Sequence, residues 1–209
     1  MAITLEQIKN LRKRTGVGVG VVKEALEASK GDEEKAIEYL REKGLAKGAA
    51  RAGKATENGY VASYIHGDGQ IGVLVEMSSE TDFASRSEDF RQLAKDVALH
   101  IAASKPLYVT IEDVPEATKG KEKELIERES GDSLKGKPED VKNKIIEGKL
   151  AKYYSEVVLL EQSFVKDESK KIKDLLAEAL AKIGENVQIV RFARFEIAEA
   201  AIASGIDQL

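Results

Sequence analysis

Residues with chemical potential concentrate in one stretch of this chain. Ser78-Ser79-Glu80-Thr81-Asp82-Phe83-Ala84-Ser85-Arg86-Ser87 sets hydroxyls, two carboxylates and a cation around one large apolar side chain, Phe83. A hydroxyl nucleophile needs a base, and neither of the two histidines, His66 and His100, lies nearby in sequence. Two isolated histidines make no metal site. The absence of cysteine removes thiol nucleophiles, disulfides and zinc–cysteine centres together. The glycines of Thr15-Gly16-Val17-Gly18-Val19-Gly20 do not form a phosphate cradle: Lys23 lacks the required spacing, no Ser or Thr follows it, and no strand pattern precedes it. What remains is recognition. Asp82 and Phe83 fit two roles, a capping carboxylate beside a core anchor or hydrophobic staple, or a charge beside an aromatic wedge presented to a partner.

The elements around this stretch would give it a rigid support. It lies where an apolar strand pattern, Ile71 to Met77, gives way to a helical one, Phe90 to Ala103. Upstream, Tyr60–Ile65 and Ile71–Val75 flank His66-Gly67-Asp68-Gly69-Gln70, a hairpin signal with His66 exposed at its tip. The following helix opens on Ser87 as N-cap with Glu88 and Asp89. Its apolar face is Phe90, Leu93, Ala94, Val97 and Ile101, which leaves His100 on the polar side, and Lys105-Pro106 ends it. Beyond lie a charged helix without an apolar stripe, Glu116 to Ser130, and a polar break, Gly131 to Lys137. A helix from Pro138 to Tyr154 follows, with Val141, Ile145 and Tyr153 facing inward. After the apolar connection Leu159–Val165, Ser169 caps an amphipathic helix bearing Ile172, Leu175, Leu176, Ala179 and Ile183, closed by Gly184. Asn186 to Glu196 alternates as a strand that completes a three-stranded antiparallel sheet with the hairpin, with helices on one face.

The N-terminal part has a different character. Thr4-Leu5-Glu6-Gln7 is a capping-box start for a helix carrying Leu5, Ile8 and Leu11, which stops at Thr15-Gly16. Gly16, Gly18 and Gly20 make a tight connection to a second helix with Val22, Ala25 and Leu26, ending near Gly31. A third, capped by Asp32, uses Ala36, Ile37 and Leu40 and stops at Gly44. Lys47, Arg51 and Lys54 then occur without an acid, as a linker or a solvated helix. The expected plan is an α+β protein: a three-helix bundle at 1–45, a linker at 46–58, a core at 59–198 and a tail at 199–209.

Composition narrows the class. With 33 basic and 37 acidic residues in 209, the net charge of −4 offers no basic field for nucleic acid. No window has the apolar length to span a bilayer and the first residues carry no signal sequence, so a soluble cytoplasmic protein is expected.

In order along the chain, these segments resemble the bacterial translation elongation factor Ts family, guanine-nucleotide exchange factors of elongation factor Tu, from about Thr4 to about Glu196. Leu11-Arg12-Lys13-Arg14-Thr15-Gly16-Val17-Gly18, Lys23-Glu24-Ala25-Leu26, Gly31-Asp32 and Ala36-Ile37 match the family's N-terminal module, which is of the ubiquitin-associated type. Glu80-Thr81-Asp82-Phe83 matches its most telling motif. Leu160-Glu161-Gln162 with Phe164-Val165-Lys166-Asp167, and Arg191-Phe192-Ala193-Arg194-Phe195-Glu196, match two more. The chain departs from the pattern at Val19, Gly20, Val21 and Val22, where two methionines and Asp-Cys are usual. It departs again at Ala84, where Val is common, and at Ser163, where Pro is usual. Its length resembles the short form, without room for the long duplicated core and coiled-coil insertion of larger members.

The resemblance implies a partner, elongation factor Tu in GDP-bound and nucleotide-free states, and exchange without bond-making chemistry, cofactor, metal or nucleotide of the chain's own. It places Thr81, Asp82, Phe83 and Ala84 near the Mg²⁺ side of the Tu nucleotide site. It places Arg12, Thr15, Gly16, Val17, Gly18, Val19 and Gly20 on another part of the same GTPase domain. It also implies a symmetric homodimer through the core. The alternative class is a non-catalytic helical adaptor for nascent chains or other helices, which would leave Thr81-Asp82-Phe83 without a purpose.

Overall fold

The computed structural model describes residues 3–15, 17–51 and 54–197; Gly16 and the 199–209 tail lie outside that set. In chain order the elements are α1 (Leu5–Thr15), α2 (Val19–Ala28), α3 (Glu33–Arg51), β1 (Asn58–His66), β2 (Ile71–Ser79), α4 (Asp82–Arg86), α5 (Glu88–Ser104), α6 (Glu116–Leu134), α7 (Glu139–Val157), β3 (Ser163–Phe164), β4 (Asp167–Lys171), α8 (Ile172–Ile183) and β5 (Val187–Glu196). The fold is α+β, with an antiparallel sheet in the order β1-β2-β5. The chain divides into two compact units, one of Met1–Ser63, Leu74–Val97 and Lys173–Arg191, the other of Tyr64–Val73, Ala98–Ile172 and Phe192–Leu209.

The first unit contains the N-terminal bundle. Thr4 and Gln7 close the capping box reciprocally: the Thr4 amide donates to Gln7 Oε1 at 3.0 Å and the Gln7 amide to Thr4 Oγ1 at 3.2 Å. Leu11, Val17, Val22, Ala25, Leu26, Ala36 and Leu40 form its core. Asp32 Oδ1 accepts the amides of Glu34 and Lys35, each at 3.1 Å, and the Lys35 amide bond holds the carboxyl below its ordinary value. Two glycine readings need correction. Gly20 lies inside α2, which starts as soon as Gly18 has supplied an extended cap (φ −59°, ψ 145°). Gly44 does not stop α3, which continues to Arg51. A helix-interior glycine costs only about 1 kcal/mol, and alanines follow Gly44 closely. In the same unit, Val75, Met77, Val187 and Ile189 are buried in the sheet, as are Phe90, Ala94 and Val97 of α5.

The hairpin turn of the second unit requires left-handed backbone at three successive residues, Gly67 (φ 58°), Asp68 (φ 53°) and Gly69 (φ 90°). Downstream, α6 runs straight through the supposed break at Gly131, and Pro138 caps α7 instead of lying within it. The two helices therefore form a helical hairpin. Its seam is narrow: Ile126 and Ser130, one turn apart, are buried with Ile146, and Lys149 Nζ donates to Ser130 Oγ at 2.7 Å. Ser169 does not cap α8 either. It lies in β4, which pairs with β3 (Ser163↔Lys171, Phe164↔Asp167), and its hydroxyl donates to Asp167.

His100 is the largest correction, because it is fully buried rather than on a polar face. Its Nδ1 accepts the Val165 amide at 3.2 Å, which leaves Nε2–H to donate to Gln162 Oε1 at 3.0 Å. Gln162 in turn donates to the carbonyls of Ser104 (3.2 Å) and Glu156 (2.8 Å). Further along β5, Arg194 donates to Ala102 O near the end of α5 and pairs with Glu196 at 2.6 Å.

Burial pushes the His100 imidazole below its ordinary value of 6.5, outweighing the Gln162 bond. As pH falls below 6.5 the unfolded chain takes up this proton before the folded one does. The stability held by neutral His100 is therefore complete above 6.5 and lost progressively as pH falls toward the depressed value. Asp167, held low by Ser169, and Glu196, held low by Lys105, lose their contributions only as pH falls below their ordinary values of 3.8 and 4.5. Denaturant melts should show stability declining from just below pH 6.5, with His100→Gln flattening that limb and leaving the more acidic one.

Candidate partner-binding site

The turn at residues 81–87 is built from hydroxyl caps. Thr81 has extended backbone (φ −127°, ψ 161°), and its Oγ1 accepts the Ala84 amide at 3.3 Å. Thr81, not Asp82, is therefore the cap of α4, and Asp82 occupies its first helical position. Ser85 Oγ donates to Asp82 O at 3.0 Å. Ser87 both closes α4 and opens α5: its hydroxyl donates to Ala84 O at 2.7 Å and accepts the Phe90 amide at 3.2 Å. Ala84 and Ser85 are buried and anchor the turn.

On this support Phe83 is 84 % exposed, which removes the core-anchor reading. Asp82 is half-buried and pairs with Arg86 at 3.2 Å on the same short helix. An aromatic ring and a carboxylate are thus presented side by side on a turn fixed from below. Two carboxylates complete the support, Glu80 of the motif itself and Glu185, which the sequence reading passed over. Glu185 accepts the Thr81 amide (3.0 Å) and hydroxyl (2.8 Å), and Glu80 Oε1 accepts the Asn186 amide at 2.7 Å.

The N-terminal candidates divide. Arg12, Gly18, Val19 and Gly20 are exposed, with Val19 at 50 %. A Cβ added at Gly18 or Gly20 would meet nothing within 4 Å, so these glycines leave an open edge on either side of Val19. Thr15 turns its hydroxyl back to Leu11 O at 2.8 Å, and Val17 belongs to the bundle core. Among the described residues no group of three acidic or histidine side chains is placed to hold a metal ion, and no helix is long and apolar enough to cross a membrane.

The family model described as elongation factor TS matches residues 21–199. The chain belongs to the elongation factor Ts family. Among similar proteins, the elongation factor Ts of Acetivibrio thermocellus is 52 % identical over 197 residues, 94 % of this chain and 91 % of that one. The elongation factor Ts of Maridesulfovibrio salexigens is 50 % identical over 200 residues, 96 % of each chain. That of Fervidobacterium nodosum is 50 % identical over 199 residues, covering 95 % of this chain and all of the relative. The elongation factor Ts match therefore spans the helices, the sheet and the exposed turn alike.

The placement of the two phenylalanines separates surface from core. Phe83→Ala should leave the melting midpoint nearly unchanged, since surface substitutions fall within about 0.5 kcal/mol. Phe90→Ala, at a fully buried position, should cost about 3–5 kcal/mol. Thermal and denaturant melts of both variants check this.

Proposed function

We propose that this chain is the guanine-nucleotide exchange factor of elongation factor Tu, acting in the cytoplasm on Tu·GDP and holding nucleotide-free Tu until GTP enters. The observation that carries the reading is Phe83, 84 % exposed on a capped and anchored turn within a chain of this family. Single exposed apolar side chains are ordinary; what supports a partner here is that this ring is 84 % exposed on a turn capped by Thr81 and anchored by buried Ala84 and Ser85.

Exchange of this kind needs no bond to form or break. The factor must bind the nucleotide-free form more tightly than the GDP form, and linkage then makes factor and nucleotide weaken one another. Equal affinity for both would shift nothing. In this reading Phe83 inserts where the free GTPase has the Mg²⁺ side of its nucleotide site, and Asp82 brings a negative charge beside it. A Mg²⁺ held at the partner's site would supply part of the electrostatic hold on the nucleotide phosphates, and Phe83 and Asp82 placed beside it would weaken that hold. Thr81 and Ala84 hold the turn that carries both groups. The bundle at 1–45 supplies affinity through Arg12, Val19 and the open glycine edge, while the core at 59–198 carries the exchange turn. Gly20, where a larger apolar residue is usual, reduces the contact at that edge. The adaptor alternative gives the exposed Phe83 no task.

A homodimer through the core is part of the same proposal. The outward residues Val61, Leu74 and Val190 on the three neighbouring strands are about half exposed and supply an apolar face.

Stopped-flow release of labelled GDP from Tu tests the reading. The full chain should accelerate release, and Phe83→Ala should lower the effect roughly 30-fold, the loss of about 2 kcal/mol expected of an interface anchor. Asp82→Asn should lose less. Release unaffected by the full chain, or undiminished by Phe83→Ala, would overturn the proposal.

A further inference from the structure

We infer that Glu185 is a positioning residue for exchange, fixing through Thr81 the direction in which Phe83 and Asp82 are presented; the inference rests on the exchange reading above. Glu185 is 104 residues from Thr81 in sequence, yet its carboxylate gathers both donors of that residue. The amide reaches Oε2 at 3.0 Å, and the hydroxyl reaches Oε1 at 2.8 Å and Oε2 at 3.1 Å. These are charge-assisted bonds, stronger and more directional than neutral ones.

The approach is built into the chain. At the end of α8, Gly184 takes left-handed backbone (φ 84°) while its amide closes on Leu180 O at 2.8 Å. That turn aims the next residue, Glu185, back at Thr81. The exchange is reciprocal, because Glu80 Oε1 accepts the amide of Asn186 at 2.7 Å, and Asn58 Nδ2 donates to Glu80 O at 3.0 Å. Residues 80–81 and 185–186 are thus clasped by two carboxylates, each holding the other segment's backbone.

The hydroxyl of Thr81 shows why this bears on Phe83. It has one proton, and giving that proton to Glu185 leaves a lone pair for the Ala84 amide at 3.3 Å. The cap of α4 is therefore oriented by Glu185. A five-residue helix has no stability of its own. Buried Ala84 and Ser85 hold its inner side, but the direction of its first turn, and so of Asp82 and Phe83, follows from the backbone of Thr81. Loss of the clasp would free that backbone and swing the ring, leaving the core beneath intact.

The chain has no tryptophan, so Phe83→Trp places a single indole at the tip of the turn. Its time-resolved fluorescence anisotropy in the full chain reads local mobility without Tu. Adding Glu185→Ala should increase the fast, large-amplitude motion of the indole. In the Phe83 chain, Glu185→Ala should lower GDP release from Tu about tenfold, as for a misplaced group. In the Phe83→Ala background it should cost less than about twofold more, because both changes act on one neighbourhood. Glu185→Gln keeps the volume and one acceptor and should give an intermediate effect on both readings; it carries the test if the alanine variant does not fold. Unchanged anisotropy in both variants, or exchange losses that multiply fully with Phe83→Ala, would overturn the positioning role. Increased indole mobility with Phe83→Ala exchanging as fast as the parent would instead overturn the exchange reading on which the role rests.

Discussion

Thr81 stands between the scaffold and the surface. Its hydroxyl accepts from Ala84, starting α4, and donates to Glu185, which follows the end of α8. One side chain thereby ties the strand-to-helix junction, a short helix and a distant turn into one unit. Phe83, two residues on, has solvent around it and depends for its direction on the backbone on either side. An exposed aromatic on a loose loop would lose ordering entropy on every encounter with a partner, whereas a pre-ordered one loses little. The constraint shared by α4, the start of α5 and the α8–β5 turn is that this ring be held still while remaining uncovered.

Local signals in the sequence carried much of the fold. The capping box at Thr4 and Gln7, the Ser87 cap and the Gly67–Gly69 hairpin turn are each defined by neighbours within a few residues, and the structure contains all three; the β5 strand is present too, although its burial alternates only from Val187 to Ile189, and Val190 and Arg191 are both exposed. Readings that depended on distant partners were harder. His100 looked polar because a helix pattern counts it as such, but Gln162 and Val165 supply its bonds from more than sixty residues away. The β3–β4 pair is too short to show a period, so Ser169 resembled a helix cap. Gly44 and Gly131 resembled stops, yet the helices continue through them because a modest local penalty does not end a helix whose neighbours favour it.

The candidate site shows the same division. The junction and the pairing of Asp82 with Phe83 were legible, as was the choice between core anchor and wedge, but the choice itself required burial. Exposure of Phe83 beside fully buried Phe90 decides it, and nothing in the spacing of the two residues could have. Glu185 carried no signal at all. It is a polar residue after a helix stop, as many are, and its meaning lies in where Gly184 turns it. Val17 was equally opaque, a valine between glycines that belongs to the bundle core rather than to the open edge.

The proposed exchange role for an exposed, capped aromatic in a chain of the elongation factor Ts family requires differential binding of the two Tu states. That claim is thermodynamic, and equilibrium affinity tests it more directly than any rate. The measurement is the dissociation constant of the full chain and of Phe83→Ala for Tu, once free of nucleotide and once saturated with GDP and Mg²⁺. If Phe83 acts by favouring the nucleotide-free form, its removal weakens binding to that form far more than to Tu·GDP, and the ratio of the two constants moves toward one. Equal weakening of both forms, with the ratio unchanged, would show Phe83 to be a uniform contact and contradict the exchange role assigned to it.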